Sequence, residues 1–178
     1  KINLGLKVLN KREDGYHNLH SLFIEINLHD EIIFTSSPNF NLKAEYPEDI
    51  HFPVDDTNLI SQAYRLMHLE SGSVPSEYTI HLNKVIPIGS GLGGGSSNAA
   101  TILNALNELW ELNYSRKKLE TLCSQLGADV PFFIRGGFQL AEGIGEKLTP
   151  QDGNVLHDLH FLLVVPSFHV STAWAYRS

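Results

Sequence analysis

The segment Pro87-Ile88-Gly89-Ser90-Gly91-Leu92-Gly93-Gly94-Gly95-Ser96-Ser97-Asn98-Ala99-Ala100 joins a strand-like apolar run to a helix-like apolar run. Its glycines allow the main chain to adopt positive φ angles and to approach a ligand closely. Backbone N–H groups at the start of a helix point toward a bound anion, and the helix dipole favours negative charge there. The segment therefore predicts a loop that holds the phosphates of a nucleotide.

A flexible linker is the alternative interpretation of so many glycines, and it predicts polar low-complexity sequence after them. Instead, apolar residues recur at helical spacing after the loop, at Ala99, Ala100, Ile102, Leu103, Ala105, Leu106 and Leu109. This spacing is typical of a helix with one buried face. We therefore favour a phosphate loop that opens directly into a helix.

Length and composition indicate a globular protein. The 178 residues are 42% hydrophobic and 19% charged, enough for one large domain. The sequence begins at Lys1 without Met and stops at Ser178 soon after a predicted helix start, so we expect a fragment that lacks much of a second domain.

Net charge, apolar run length and cysteine content limit which partners and which location we expect for the protein. The net charge of −7 argues against binding to nucleic acid or to an anionic membrane surface. No apolar run approaches the roughly 20 residues that span a bilayer. The single cysteine, Cys123, permits no internal disulfide and indicates a cytoplasmic protein. Its position on an apolar helix face predicts a buried thiol without a catalytic role.

Hydrophobic patterning predicts strands followed by interspersed helices. Strands are expected at residues 2–9, 21–28, 31–35, 40–44, 78–86 and 161–165, with a hairpin over 138–148 around Gly143. One helix is expected over 58–69, capped by one of residues 55–58, and another from a cap in 113–115 to a left-handed Gly127. This order favours an α+β fold with a mixed or antiparallel sheet over a doubly wound parallel sheet.

Two common phosphate loops do not match the spacing. Residues 89–94 satisfy G-x-G-x-x-G, but the dinucleotide fold requires a second strand with an acidic residue about 20 positions further on, where this chain predicts helix. A P-loop requires Gly-Lys-Ser/Thr, and the only nearby lysine, Lys84, precedes the glycines.

The remaining pattern, Gly91-Leu92-Gly93-Gly94-Gly95-Ser96-Ser97-Asn98-Ala99-Ala100, resembles the phosphate loop of the GHMP kinase superfamily. Other matching stretches are Lys1-Ile2-Asn3-Leu4, Lys11-Arg12-Glu13-Asp14-Gly15-Tyr16-His17, Asp56-Thr57-Asn58-Leu59 and Gly127-Ala128-Asp129-Val130-Pro131-Phe132-Phe133. These stretches follow one another in the same order as in one branch of the superfamily. That branch phosphorylates a cytidine-diphosphate-linked methylerythritol on its 2-hydroxyl, in the non-mevalonate isoprenoid pathway. The resemblance implies an ATP-dependent kinase.

The resemblance also implies a domain organisation. Residues 1–150 would form the GHMP kinase N-terminal ATP-binding domain, an α+β fold of the ribosomal protein S5 domain 2-like type. Residues 151–178 would begin a truncated C-terminal domain.

A carboxylate and a lysine carry the chemistry that the resemblance implies. It assigns Asp129 as the base that accepts the proton of the acceptor alcohol, and Lys1 as the cation beside it. From the residues alone, Asp129 also suits an N-cap before Val130 and Pro131, and Lys1 is a lysine at a strand end.

The resemblance assigns the ATP-binding residues as Asn58, Lys84, Pro87, Gly89, Gly91, Leu92, Gly93, Gly94, Gly95, Ser96 and Ser97. Mg²⁺ is expected with ATP, because metal bridging neutralises phosphate charge; the hydroxyls of Ser96 and Ser97 are candidate ligands. A zinc site at His157 and His160 is not expected, because that segment leads into a predicted strand.

Four residues would bind the second substrate. Tyr16 and His17 offer a flat apolar ring and a hydrogen-bonding imidazole to a cytosine, Tyr176 a second ring, and Asn3 would orient the acceptor. A Tyr-His pair in a turn is also a common half-exposed surface feature. Alternative functions are a GHMP kinase for homoserine or mevalonate, and a non-catalytic nucleotide-binding module of the same fold.

Overall fold

Two separate sheets organise the computed structural model, which describes residues 1–46, 52–72 and 76–166. The strands are β1 (Ile2–Lys11), β2 (His17–Ile24), β3 (Glu31–Ser37), β4 (Asn41–Glu45), β5 (Glu77–Asn83), β6 (Phe138–Gly143) and β7 (Lys147–Pro150). The first sheet is antiparallel with the order β1-β2-β6-β7. In the second sheet, β5 lies between β3 and β4, antiparallel to β3 and parallel to β4. The expected α+β fold with mixed and antiparallel sheets is confirmed.

The helices are α1 (Leu59–Ser71), α2 (Gly94–Leu109), α3 (Arg116–Cys123) and α4 (Phe132–Arg135), followed by a 3₁₀ helix (Gly153–Leu156). α1 begins after Asn58, whose side-chain oxygen accepts a hydrogen bond from the Ile60 N–H at 2.9 Å. Asn58 is thus the cap among the four candidates. α2 follows the glycine loop directly, and the predicted hairpin around Gly143 is formed by β6 and β7. These local predictions are confirmed.

The larger hydrophobic core lies between the second sheet and helices α1 to α3. Tyr64 of α1 is fully buried there, stacked on Phe40 at a centroid distance of 4.1 Å and edge-on to Trp110 at 5.5 Å. A smaller core of Leu19, Phe23, Phe132 and Ala141 joins the first sheet to α4. The glycine loop contacts both cores: Ala99 and Ala100 of α2 belong to the larger one, and Gly93 lies beside Phe133, which packs against both.

One predicted helix end and one predicted strand were wrong. α3 ends at Cys123, and hydrogen-bonded turns follow it, with the Gln125 N–H donating to the Leu122 carbonyl oxygen. Gly127 is not left-handed, because the helix has ended four residues earlier and Gly127 is not the residue that terminates it. Residues 161–165 form no strand, since no described residue pairs with them, and the side chain of Leu162 is 91% exposed.

The apolar side chains of the first strand are more exposed than their alternation with polar residues in the sequence suggests. Leu4, Leu6 and Val8 of β1 are 37–46% exposed, because β1 lies at the edge of its sheet and has no layer packed over those side chains among the described residues.

Candidate active site

The glycine loop reaches helix α2 through alternating left-handed residues. Gly89, Gly91 and Gly93 have φ angles of 69°, 74° and 75°, which side-chain-bearing residues rarely adopt. Gly93 is the N-cap of α2; no side chain caps this helix start, and its first turn has no acidic residue. The N–H groups of the first turn have no intrahelical partner, so the positive end of the helix dipole faces the loop.

A cavity of about 440 Å³ opens beside this helix start. Most of the predicted ATP-binding residues line it, namely Asn58, Lys84, Pro87, Gly89, Gly91, Gly93, Gly94, Gly95 and Ser96. Leu92 and Ser97 do not line it. The sequence reasoning missed Phe52, Pro53, Leu59, Ile88, Ser90 and Asn98. Phe52 and Pro53 give the cavity an apolar wall, but they lie in an irregular segment that has no periodic signal.

A buried ion pair stands behind the loop. Lys84 is 5% exposed, and its Nζ lies 2.9 Å from Oδ2 of Asp30, whose side chain is fully buried. Oδ1 of Asp30 accepts the N–H groups of Val85 and Ile86 at 2.8 and 2.7 Å, and Oδ2 accepts Nδ2 of Asn98 at 2.9 Å. Asp30 thus ties the chain entering the loop to the first turns of α2.

Burial of Asp30 acts to raise the pKa of its carboxyl group, but the hydrogen bonds from Ile86, Lys84, Val85 and Asn98 outweigh that effect, and the pKa lies below its ordinary value. Lys84 therefore faces a charged partner and also donates to the Ile86 carbonyl oxygen. Lys84 lines the cavity, and its ammonium group already contacts Asp30 and the Ile86 carbonyl oxygen. In the sequence, Asp30 lies between two predicted strands, and no pattern there predicts that its side chain is buried.

Lys1 and Asp129 meet beside the same loop, although 127 residues separate them in the chain. Lys1 is 8% exposed; its Nζ lies 3.2 Å from Oδ2 of Asp129, donates to Oδ1 of Asn3 at 2.9 Å, and lies 4.4 Å from the centre of the Phe23 ring. The backbone nitrogen of Lys1 donates to the Leu92 carbonyl oxygen at 2.8 Å. The pair is therefore held directly against the glycine loop.

The capping interpretation of Asp129 is wrong. Helix α4 begins after Pro131, and no side chain caps it. Asp129 lies in the turn before this helix, its side chain is 38% exposed, and it forms the ion pair with Lys1. A partly exposed carboxylate beside a buried ammonium can accept a proton from a ligand that approaches the loop.

Tyr16 and His17 lie at the other end of the β1–β2 hairpin from Lys1. His17 pairs with Lys11 at the end of β1, and Tyr16 is 61% exposed in the turn, where its N–H donates to Asp14 at 3.1 Å. The ten-residue strand β1, about 33 Å long at the usual rise per residue, lies between this turn and Lys1. The structure therefore does not bring these two residues next to Lys1 and Asp129. Tyr176 lies outside the described residues.

The remaining candidates, Cys123, His157 and His160, do not line the cavity beside the loop. Burial, with a smaller contribution from Glu120, raises the pKa of the Cys123 thiol to about 12, so this buried cysteine stays protonated, as predicted. His157 is exposed beside Asp158. Among residues 1–46, 52–72 and 76–166, no three His, Cys, Asp or Glu side chains cluster as a metal site would require. No helix in that part of the chain is long and apolar enough to cross a membrane.

Comparison with known proteins places this geometry in a family. The family described as GHMP kinases N terminal domain matches residues 58–137, which include α1, the glycine loop, α2 and Asp129. A 4-diphosphocytidyl-2-C-methyl-D-erythritol kinase from Chlorobium phaeobacteroides (strain DSM 266 / SMG 266 / 2430) is 44% identical over 179 residues, covering 100% of this chain and 59% of that protein. Residues 58–137 are thus similar to the GHMP kinase N-terminal domain, and the whole chain is similar to a protein named 4-diphosphocytidyl-2-C-methyl-D-erythritol kinase.

Two further relatives carry the same name. The protein of the same name from Chloroherpeton thalassium (strain ATCC 35110 / GB-78) is 43% identical, covering 100% of the chain and 61% of the relative. A crystal structure of 4-(cytidine 5'-diphospho)-2C-methyl-D-erythritol kinase superposes with a TM-score of 0.75 at 36% identity, covering 99% of this chain and 60% of that one. The chain spans about 60% of the length of the curated relatives that it matches.

Proposed function

We propose that this chain forms the nucleotide-binding part of an ATP-dependent kinase that phosphorylates the 2-hydroxyl of 4-diphosphocytidyl-2-C-methyl-D-erythritol. The observation that carries the proposal is the Lys1–Asp129 pair, an ion pair 3.2 Å long that lies against a helix-capping glycine loop. That loop borders a cavity with an apolar wall, which suits a nucleotide base. The names of the relatives specify the acceptor.

Each group has a defined part in the transfer. Asp129 accepts the proton of the 2-hydroxyl as its oxygen attacks the γ-phosphorus of ATP, and the bond from that phosphorus to the bridging oxygen breaks to leave ADP. The Lys1 ammonium stabilises negative charge that develops on the oxygens in transfer. Asn3 lies 2.9 Å from Lys1 and would orient the acceptor. The N–H groups of Gly94, Gly95 and Ser96 hold the phosphates.

The protein residues around the loop fit a magnesium ion held mainly by ATP. Mg²⁺ usually keeps several waters and takes one or two protein oxygens together with substrate phosphates, so a cage of carboxylates is not required. Ser96 lines the cavity and Ser97 follows it in the first turn of α2, and their hydroxyls would be the protein ligands. When bound, Mg²⁺ neutralises phosphate charge.

The acceptor substrate would lie along the β1–β2 hairpin. Its cytosine would stack on Tyr16 and hydrogen-bond to His17 at one end, with its methylerythritol end at Asn3, Lys1 and Asp129. Because the ribose and the diphosphate lie between the cytosine and the reacting hydroxyl, the two groups of residues need not be adjacent. We propose no partners besides these two small molecules, and a cytoplasmic location.

An ADP-release assay on the full-length protein tests the proposal. With ATP and Mg²⁺, we expect turnover of the cytidylated alcohol and none of mevalonate, homoserine or galactose. Asp129→Asn should lower kcat by roughly 10²- to 10⁴-fold, the usual contribution of a general base, with little change in the KM for ATP. Asp152→Asn is the matched control, because Asp152 only caps the 3₁₀ helix.

Three outcomes would contradict parts of the proposal. Near-normal turnover by Asp129→Asn would remove Asp129 from proton transfer. Turnover of mevalonate or homoserine alone would keep a kinase and discard the roles of Tyr16 and His17. Binding of ATP without turnover of any acceptor would support a non-catalytic module.

A further inference from the structure

Ser21 is a polar residue on the core-facing side of β2. It lies between Leu19 and Phe23 on the buried face of that strand and is only 2% exposed. A buried hydroxyl destabilises the fold unless it is hydrogen-bonded. The Oγ of Ser21 donates to the Gly5 carbonyl oxygen at 2.6 Å and accepts Nδ2 of Asn3 at 2.9 Å. Both hydrogen bonds lead from Ser21 toward the amino-terminal end of β1.

An irregularity in the pairing of β1 with β2 makes the first of these bonds possible. Asn3 pairs with Phe23, but Gly5 pairs with Leu22, so Leu4 is an extra residue on β1. Such a bulge interrupts the regular ladder and re-aims nearby groups. At this interruption the Gly5 carbonyl accepts the Ser21 side chain.

These contacts define the orientation of the Asn3 amide. A serine hydroxyl has one hydrogen, and Ser21 uses it on Gly5, so toward Asn3 its oxygen can only accept. Asn3 must therefore turn its NH₂ group toward Ser21 and its oxygen toward Lys1, whose Nζ donates to it at 2.9 Å. The opposite orientation would bring an NH₂ group against an ammonium group and lose both hydrogen bonds.

We propose that Ser21 is a positioning residue for the reaction: it sets the orientation of the Asn3 amide, which in turn holds the Lys1 ammonium toward Asp129. This inference rests on the proposed kinase function for its effect on turnover. The orientation of the Asn3 amide does not depend on that function. Ser21 contacts no reacting atom, and it acts through Asn3.

Kinetics of three variants of the full-length protein test this role. Ser21→Ala removes the hydroxyl and should lower kcat roughly tenfold, the equivalent of one hydrogen bond in a charged network, with the KM for ATP unchanged. Ser21→Thr keeps the hydroxyl and should restore most of kcat. In an Asn3→Ala background, Ser21→Ala should lower kcat by less than a further twofold, because the Asn3 side chain through which Ser21 acts is already absent.

A purely structural role for Ser21 predicts a different pattern. Ser21→Ala would then lower kcat by the same factor with or without Asn3, and thermal stability would fall in parallel. Either that additivity, or full activity of Ser21→Ala, would overturn the proposal. Asn3 is exposed, so Asn3→Ala keeps the test available if Ser21→Ala folds poorly: it should reproduce the tenfold loss in kcat by itself.

The side-chain amide resonances of Asn3 provide a readout that does not need activity. In ¹⁵N-labelled protein, Ser21→Ala should shift both Nδ2 proton resonances of Asn3, and Ser21→Thr should leave them close to those of the wild type. If the wild-type protein shows no turnover but Ser21→Ala still shifts these resonances, the kinase proposal fails and the orienting role stands. Unchanged Asn3 resonances in Ser21→Ala would overturn the orienting role itself.

Discussion

Substitution of Asp30 by asparagine preserves the shape of the side chain and removes its charge. The asparagine oxygen would still accept the N–H groups of Val85 and Ile86, as Oδ1 of Asp30 does. Its NH₂ group would replace Oδ2 and face Nζ of Lys84 and Nδ2 of Asn98, which are both donors. Two favourable contacts would thus become donor–donor contacts, and the Lys84 charge would lose its partner.

The expected cost is large compared with the stability of a domain. Removal of one member of a buried ion pair typically destabilises a protein by about 3–5 kcal/mol. Because Lys84 keeps the Ile86 carbonyl as an acceptor, we expect about 3 kcal/mol. With an m-value near 2 kcal/mol/M, the urea midpoint should fall by about 1.5 M.

Urea unfolding followed by circular dichroism measures this change. Glu31→Gln is the matched control, because it makes the same chemical change at the neighbouring position, where the carboxylate is exposed and accepts Nδ2 of Asn83 at 2.8 Å. Glu31→Gln should change the unfolding free energy by less than about 0.5 kcal/mol. If Asp30→Asn costs no more than this control, the ion pair does not hold the loop in place.

The pH dependence gives a second check on Asp30. Because the folded-state pKa of its carboxyl group is lowered, the charged form stabilises the fold fully above the unfolded-state pKa of about 3.9, and this contribution is lost as the pH falls through the folded-state pKa. The stability difference between wild type and Asp30→Asn should therefore be constant above about pH 5 and shrink below about pH 4. A difference that grows as the pH falls would refute the assignment.

Two further substitutions test the loop and its supports. Gly94→Ala should lower the free energy of unfolding by up to about 2 kcal/mol, because the new Cβ would lie only 3.0 Å from Ile86. This overpacking outweighs the gain in helix propensity. Gly95→Ala, whose Cβ would meet only Leu59 at 3.5 Å, should stabilise by about 0.5–1 kcal/mol, and equal effects in urea unfolding would disprove the packing argument. Asn58→Ala should cost about 1–2 kcal/mol through loss of the α1 cap, and it should raise the KM for ATP because Asn58 also donates to the Pro53 carbonyl in the cavity wall. Unchanged stability of Asn58→Ala would exclude the capping role.

Local sequence signals predicted those features that depend on neighbouring residues. An N-cap within residues 55–58, the helix after the glycines and the hairpin around Gly143 each follow from a few adjacent side chains and the main-chain angles that they allow. Predictions failed where the outcome depended on distant partners. Residues 161–165 have the composition of a strand, but a strand also needs a neighbour to pair with, and composition does not supply one.

The candidate site divides in the same way. The glycine loop and the helix that starts directly after it could be predicted from the order of the residues, because positive φ angles and helix starts are local properties. The resemblance of short motifs to a family identified Lys1 and Asp129 as candidates, but their 3.2 Å contact exists only after β1 and the turn before α4 pack together. Asp30 and Ser21 carried no signal at all. Their importance comes from burial and from hydrogen-bond partners far away in the chain, and these arise only when the tertiary structure excludes water and leaves each polar group with few possible partners.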